Sequence, residues 1–245
     1  MLKTAKSTQP PYPSGHDTAV GSAAAVSGVI RCVVLVHGFM RTGRNMRYLA
    51  RELGRRGYRP VAPTLPTPFR DIRTCSEALV STVETHVPQG SVVHFVGHSM
   101  GGLIVRDYLS RRVVAGLGRV VLIGTPNGGS PYANMLLGIP LSRDIFKGLS
   151  DLAEPGVQIP SPLNDPPPEM GIIAGTRPDP VRNFLLPDEH DGLVTVESAR
   201  QVTAKDEMLI PCAHERLHWR RDTAEAVAAF LETGKFRRCE AQLKF

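Results

Sequence analysis

The sequence predicts an α/β fold, with a mostly parallel sheet of about six strands and helices on both of its faces. Short segments that are apolar throughout alternate along the chain with segments whose apolar residues recur at helical spacing. The chain has 245 residues, which is enough for one domain with a substantial core. Ligands of such sheets bind at the carboxyl ends of the strands, so we expect the chemistry just after each strand.

The predicted elements begin after an N-terminal arm. Residues 1–28 are rich in Pro, Ser, Gly and Ala without apolar periodicity, which predicts a mobile arm with room for one short edge strand near Ala25. Residues 29–245 are predicted to form a single domain. Runs rich in β-branched and other apolar residues predict strands at residues 29–36, 58–62, 91–96, 119–123, 171–174 and 208–210. Helical periodicity predicts helices at residues 45–56, 71–86, 100–112, 194–202 and 223–231.

A stretch rich in proline and glycine, at about residues 127–169, separates two of these strands. An insertion of this length over the carboxyl edge of a sheet often forms a lid or a binding loop. Its apolar residues Met135, Leu136 and Leu137 are candidates for the lining of an acyl pocket. A packed surface helix followed by a proline-rich linker explains any one of them equally well.

The net charge of +6 comes from 29 Lys plus Arg against 23 Asp plus Glu. Most of the excess is arginine distributed along the whole chain without interleaved aromatic residues, so we predict no nucleic-acid partner. Four arginines at helical spacing favour a solvated helix face over a surface that steers an anionic substrate. These are Arg44, Arg47, Arg51 and Arg55.

Features of targeting and metal binding are weak in this sequence. No apolar segment follows the N-terminal lysines, and no apolar run is long enough to span a bilayer. The four cysteines form neither a CxxC pair nor a metal-ligand spacing. A reduced, cytoplasmic protein is the simpler expectation, although a chain trimmed of a leader would look the same.

The strongest motif is the G-x-S-x-G sequence of residues 97–101, between a predicted strand and a predicted helix. In that setting the chain turns so sharply that the central residue, Ser99, is held in a strained conformation above the sheet. Glycines on both sides let the strand and helix backbones approach each other. Ser99 is therefore predicted to be a nucleophile, and an incidental serine in a glycine-rich turn is the weaker interpretation.

A nucleophilic serine needs N–H donors for the oxyanion that forms on the attacked carbonyl. We predict the backbone N–H of Met100, directly after the nucleophile, as one donor. The second is expected from the loop after the first strand, where Phe39 is the candidate and His37 would brace the loop. On its own, this His-Gly loop would be an ordinary turn at the end of a strand.

The serine also needs a histidine base and a carboxylate that orients the base, expected in the chain order serine, acid, histidine. Asp191, in the loop after the strand at residues 171–174, is the predicted acid. Asp188 is the second choice, and a plain Asp-Gly turn is the alternative. His214 is the predicted base, favoured over His218 because it lies closer to the end of its strand.

Residues 214–218 also spell H-E-x-x-H, the signature of zinc peptidases. That signature requires a helix with both histidines on one face, and a third ligand. The preceding strand and Pro211 argue against a long helix here. The extended spacing with a third histidine is absent, which leaves Glu225 or Glu232 as nominal ligands. We therefore predict neither a metal nor a cofactor.

With these motifs the chain resembles small bacterial lipases and esterases of the α/β-hydrolase superfamily, over about residues 30–236. The matching segments are residues 37–39, 97–103, 124–126, 191–192 and 214. The resemblance implies an α/β-hydrolase fold and cleavage of an ester, often of a lipid, without a cofactor. Two antiparallel strands that usually open this fold have no clear counterpart before Val29, and the cap region resembles nothing that indicates a substrate.

The leading functional prediction is a carboxylester hydrolase that forms an acyl-enzyme on a small-molecule or lipid ester. We expect uncharged esters with apolar acyl chains to be preferred over peptides, and peripheral contact with lipid fits this activity. The oligomeric state is not indicated. An acyltransferase or amidase on the same catalytic triad stays open. A zinc peptidase and a non-catalytic binding protein are alternatives from other classes. The complete triad and oxyanion loop argue against the non-catalytic binding protein.

Overall fold

The structure, a computed structural model, describes residues 28–162, 164–183, 186 and 188–237. The predicted arm, with its edge strand near Ala25, lies outside the described residues. Six strands in the described part form one sheet in which all neighbours are parallel, in the order β2-β1-β3-β4-β5-β6. They are β1 (Arg31–Val36), β2 (Arg59–Val61), β3 (Val92–His98), β4 (Leu117–Ile123), β5 (Met170–Gly175) and β6 (Asp206–Ile210).

The helices confirm the predicted alternation of strands and helices. They are α1 (Arg47–Gly54), α2 (Ile72–His86), α3 (Met100–Arg111), α4 (Pro131–Leu137), α5 (Ser142–Ile145), α6 (Leu149–Leu152), α7 (Val196–Arg200) and α8 (Arg221–Thr233). Single 3₁₀ segments occur at Gly43–Met46 and His214–Trp219. No helix in the described ranges is both long and apolar enough to cross a membrane.

Side-chain alternation along the strands explains why these segments are apolar throughout. In β1, Val33 and Leu35 pack into a cluster with residues of α1 and α8, whereas Val34 and Val36 pack into a second cluster with residues of α2 and α3. All four side chains are fully buried. The sheet is therefore covered on both faces, as a parallel sheet requires.

The sheet changes its direction of growth between β1 and β3. The chain places β2 on one side of β1 and then β3 on the other side, so the loops that follow β1 and β3 diverge from a shared crevice. Val36 at the end of β1 pairs with Gly97 near the end of β3. This switch point brings the loop that begins at His37 next to Ser99.

The predicted insertion lies between β4 and β5 and contains α4, α5 and α6. Ser130 caps α4 by accepting the N–H of Ala133, and Pro131 occupies the first turn, where its missing N–H costs nothing. Ala133, Leu149 and Leu152 are buried against the cluster on the α2 and α3 face. These short helices are thereby attached to the core at the carboxyl end of the sheet.

Candidate active site

Ser99 occupies the sharp turn between β3 and α3. Its φ of 56° lies in the left-handed region, which is strained for a residue with a side chain. Close packing around the turn makes this conformation possible. A Cβ on Gly97 would lie 2.4 Å from the Cα of Gly102, and a Cβ on Gly101 would lie 2.2 Å from the carbonyl oxygen of Val36. Helix α3 therefore starts directly against the sheet, with Ser99 half-buried at its N-cap.

His214 and Asp191 form a buried pair beside this turn. Nδ1 of His214 lies 2.7 Å from Oδ2 of Asp191, and both side chains are buried. The backbone N–H of His214 also donates to the carbonyl oxygen of Asp191 at 3.0 Å. The other carboxylate oxygen, Oδ1, accepts the N–H groups of Leu193 at 3.0 Å and Val194 at 2.8 Å. With Nδ1–H directed at Asp191, Nε2 of His214 is left as the basic nitrogen.

The electrostatics of this pair favour the protonated form of the base. Burial alone would lower the pKa of His214, but the charge of Asp191 and its hydrogen bond outweigh burial and raise that pKa above its ordinary value. Asp188, the second choice for the acid, is exposed and takes no part in the pair.

The loop after β1 is held by its own side chains. Nε2 of His37 accepts the N–H of Leu65 at 2.9 Å, so its Nδ1 carries the proton and donates to the carbonyl oxygen of Gly38 at 2.9 Å. The hydroxyl of Thr67 donates to the same oxygen at 3.2 Å. In a trans peptide the N–H of Phe39 points away from that carbonyl. His37 thus braces the loop in the way the sequence suggested.

Both predicted oxyanion donors border Ser99. A Cβ on Gly38 would lie 2.9 Å from the Cβ of Ser99, which places the Gly38–Phe39 peptide beside that serine. Met100 is the first residue of α3, where backbone N–H groups have no partner within the helix.

Ser99 and His214 open into one pocket at the carboxyl end of the sheet. Its apolar lining includes Ala133, Leu136, Leu149 and Leu152 of the insertion, together with Phe39, Pro126, Leu193 and Val194. Of the three predicted lining residues, Leu136 lies in the pocket and Leu137 packs against the neighbouring core cluster. Met135 is 52% exposed and outside the lining, because Ala133 and Leu136 share a helix face by their spacing and Met135 is directed off that face.

Two glycines leave room for the pair of Asp191 and His214: Gly124, which belongs to the lipase-like segment at residues 124–126, and Gly175, which the sequence interpretation missed. Gly124 follows β4 with φ of 54°, and a Cβ there would lie 3.2 Å from Nδ1 of His214 and 3.3 Å from Oδ2 of Asp191. A Cβ on Gly175, the last residue of β5, would lie 2.7 Å from the Cβ of Asp191. The position of Gly175 at the end of a strand was the available signal.

His98 and His218 form a cluster of histidines with His214. Nε2 of His98 lies 3.1 Å from the carbonyl oxygen of His214, and the ring of His98 is 4.9 Å from that of His214 and 4.1 Å from that of His218. His218 is buried, and neither of its ring nitrogens has a partner in the part of the chain that the structure describes. Burial, with smaller effects of His214 and Arg41, lowers its pKa to about 3.

The H-E-x-x-H string does not adopt the helix that a zinc peptidase needs. Residues His214–Trp219 form a 3₁₀ segment, and Nδ1 of His214 is bound to Asp191. Across the described ranges, no group of three His, Cys, Asp or Glu side chains is placed to hold a metal ion.

The rim of the pocket carries an ion pair. Arg182 pairs with Glu215, the residue after the base, and its guanidinium carbon lies 5.8 Å from the ring centre of Tyr132 on α4. Glu215 and Tyr132 both line the pocket. Burial would raise the pKa of Glu215, but the hydrogen bond and charge of Arg182 prevail and lower it.

A parallel α/β sheet with a strained serine at its switch point defines the class of α/β hydrolases. The sequence profile described as the alpha/beta hydrolase family matches residues 33–238, which is most of the chain. The chain therefore belongs to the alpha/beta hydrolase family, as the motifs of the sequence predicted. No curated protein sequence matches it significantly.

Solved structures of bacterial lipases and esterases share the fold. The mature form of a lipase from Bacillus licheniformis is similar with a TM-score of 0.65 and 18% identity, over 83% of this chain and 91% of that chain. An esterase from Exiguobacterium antarcticum has a TM-score of 0.57 and 15% identity, over 84% and 93%. The phospholipase PlaB from Legionella pneumophila has a TM-score of 0.59 and 14% identity, over 77% and 53%.

Proposed function

We propose that this hydrolase cleaves carboxylic esters, with Ser99 as nucleophile, His214 as general base and Asp191 as the orienting acid. The observation that carries the proposal is the 2.7 Å contact between His214 and Asp191 beside a strained serine in a shared pocket. A buried carboxylate that fixes the histidine tautomer is the arrangement that activates a serine hydroxyl.

The reaction follows from these positions. Nε2 of His214 takes the proton of the Ser99 hydroxyl while Oγ attacks the ester carbonyl, and the oxyanion is bound by the N–H groups of Phe39 and Met100. Collapse of this intermediate breaks the bond to the alcohol, which leaves with the proton held by His214. Water, deprotonated by His214, then attacks the acyl-enzyme, releases the acid and restores Ser99.

The pocket supports an apolar acyl group. Leu136, Leu149 and Leu152 line it, and burial of methylene groups against such side chains contributes about 0.8 kcal/mol each. The similarity to bacterial lipases and esterases supports an ester rather than a peptide as substrate. Met135, which the structure turns outward, has no part in this proposal.

The first experiment is labelling with a fluorophosphonate, together with hydrolysis of nitrophenyl esters from acetate to palmitate. We expect one label, on Ser99, and a loss of several powers of ten in kcat for Ser99→Ala with the fold intact. Ser130 lines the same pocket and provides an internal control, because its hydroxyl donates to the backbone carbonyl oxygen of Leu193. A label on Ser130, or full activity in Ser99→Ala, would contradict the proposal.

The second experiment tests the alternatives. Activity is expected to survive a strong chelator, and loss to the chelator with recovery on added zinc would favour a peptidase. Faster transfer of the acyl group to an added alcohol than to water would identify an acyltransferase on the same residues. Cleavage of nitroanilides at the rate of the matched esters would identify an amidase.

A further inference from the structure

The catalytic pocket is lined by one basic side chain that the proposed reaction does not use. Arg41 lines the pocket together with Ser99 and His214, and it is exposed. Its guanidinium group has no ion pair or hydrogen bond to any residue within the described ranges. Glu215, the acid of the same lining, is already paired with Arg182. Arg41 therefore leaves an uncompensated positive charge at the catalytic serine.

Neighbouring histidines do not add to or cancel this charge. His98 and His218 are buried, and burial is the main cause that holds the pKa of each well below neutrality. Both rings are thus uncharged at neutral pH, and Arg41 remains the net charge on this side of the pocket.

The fold also indicates which part of the substrate Arg41 would meet. The ring of Phe39 packs edge-to-face against Phe146, with ring centres 5.8 Å apart, so Phe39 faces the insertion that supplies leucines to the pocket. The chain then turns at Met40, whose φ is 52°, and the N–H of Arg41 donates to the carbonyl oxygen of Gly38 at 3.3 Å. Gly38 adjoins His98, because a Cβ on Gly38 would lie 3.4 Å from Nδ1 of His98. The charge of Arg41 accordingly contributes to the lowered pKa values of His98 and His218.

Those two rings belong to the histidine cluster around the base, since His98 contacts both His214 and His218. A base that returns its proton to the leaving oxygen has the alcohol on its own side of the scissile bond. Arg41 is therefore on the side of the leaving alcohol, and the leucines of α4 and α6 are on the side that receives the acyl chain.

We propose that Arg41 is a specificity residue that binds an anionic group, a phosphate or a carboxylate, carried by the alcohol part of the ester. This inference rests on the proposed function and refines it, because the sequence alone suggested uncharged esters. A guanidinium group offers two parallel N–H donors that match the oxygens of either anion. The substrate class is then an ester with an apolar acyl chain and an anionic alcohol.

The test compares three butyrate esters of para-substituted phenols, with a neutral nitro group, an anionic carboxylate and a cationic trimethylammonium group. For each ester, the ratio of kcat/KM between Arg41→Gln and the wild type cancels the intrinsic reactivity of the phenol. Relative to the neutral ester, we expect this ratio to fall about tenfold for the anionic ester at low salt and to rise for the cationic one. The loss should shrink as salt screens the charge.

Two further variants serve as controls. Arg44→Gln removes an exposed charge three residues further along, outside the pocket lining, and should leave all three ratios near one. Arg41→Lys keeps the charge without the planar pair of donors and should retain part of the preference. Melting temperatures of the three variants should match the wild type, because both arginines are exposed.

Two phosphate substrates distinguish the source of the anion. Each is tested with the wild type and with Arg41→Gln. A loss on a short-chain acyl glycerophosphate that is monomeric in water assigns the anion to a small molecule. A loss confined to a dispersed lysophospholipid assigns it to a lipid headgroup, and either loss supports the inference.

Failure of this inference and failure of the proposed function give different results. If Arg41→Gln changes kcat/KM for the three butyrate esters by one common factor, the proposed role of Arg41 is wrong and the esterase proposal stands. If Arg44→Gln lowers kcat/KM for the anionic ester as much as Arg41→Gln does, the preference comes from the diffuse surface charge and not from an anion bound at Arg41. If the wild type cleaves no ester and Ser99 takes no label, the proposed function fails and this inference fails with it.

Discussion

His98, the residue before the nucleophile, donates the N–H of its Nε2 to the backbone carbonyl oxygen of His214 at 3.1 Å. The direction of this bond follows because a carbonyl oxygen can only accept. The two residues are 116 positions apart in the chain and both are buried. The turn that displays Ser99 is therefore tied to the main chain that carries the base.

Replacement of His98 should uncouple this contact. His98→Phe keeps a ring between His214 and His218 but removes the N–H donor, so we expect kcat to fall by about tenfold with little change in KM. His98→Gln can restore a donor and should recover part of kcat. A rise in KM with kcat unchanged, or equal activity of His98→Phe and the wild type, would show that the His98 ring only fills space.

The two histidines of the H-E-x-x-H string should behave differently. His214→Ala is expected to reduce kcat about as far as Ser99→Ala, and the double variant no further, because the two residues act as one unit. His218→Ala should keep most of the activity but lose about 2 kcal/mol or more in the free energy of unfolding, since a buried ring is removed. Denaturation curves separate the two effects.

His218→Leu is the matched control for this comparison, because it removes both ring nitrogens while filling most of the space. It should be as active as His218→Ala and more stable. An inactive His218 variant beside an active His214→Ala would reassign the base and reopen the assignment of Asp191.

The pH dependence of kcat/KM should report the pair of His214 and Asp191. The base works as the neutral imidazole, so activity rises with pH through the pKa of His214, which Asp191 raises above its ordinary value of about 6.5. In Asp191→Asn that carboxylate charge is lost while burial remains, so the residual acid limb should move to lower pH. The rate should also fall by several powers of ten.

The stability of the enzyme should also depend on the pair of His214 and Asp191. Activity is expected to rise with pH, whereas the stabilising contribution of this pair should decrease. A raised folded-state pKa means that the charged pair stabilises the fold at pH values below the unfolded pKa of His214, and that this contribution is lost as the pH rises through the folded pKa. In Asp191→Asn burial is left to lower the pKa of His214 in the folded state, so this contribution should change sign and stability should be lost as the pH falls below the unfolded pKa. An unchanged acid limb in Asp191→Asn would indicate that another carboxylate orients the base.

Gly124 should be required for activity beyond its effect on stability. Gly124→Ala places a methyl group 3.2 Å from Nδ1 of His214 at a positive φ, so we expect both a loss of stability and a clear fall in kcat. Gly90→Ala is the control, because Gly90 has φ of 75° but nothing within 4 Å of an added Cβ. It should lose only stability, by about 1 kcal/mol. Equal kcat for the two variants would contradict the role of Gly124.

Local pattern accounts for much of what the sequence predicted correctly. Residues 32–36 are fully buried and belong to β1. A short run that is apolar throughout can hardly be accommodated in a chain of this size except as a buried strand. The turn around Ser99 depends on glycines within three residues of it, so its motif was readable without a structure. Helix α2 starts where Asp71 accepts the N–H of Thr74, one residue inside the predicted start.

A surface helix was one of the two interpretations of the segment that forms α4, whereas α5 and α6 were not predicted as helices. Helices α5 and α6 have four residues each, too few to be stable by local propensity, and α6 forms because Leu149 and Leu152 pack against the core. For the same reason the sequence could not say which insertion residues face the pocket.

The sequence by itself determined the order of strands and helices, the serine turn, and the loops from which an acid and a base had to come. Only the tertiary structure decided that Asp191 rather than Asp188 contacts His214, that His98 joins His214 to the serine turn, and that Arg41 stands unpaired in the pocket. The physical reason is distance along the chain. Hydrophobic periodicity and turn chemistry act over a few residues, whereas these contacts join segments that meet only after the sheet has assembled.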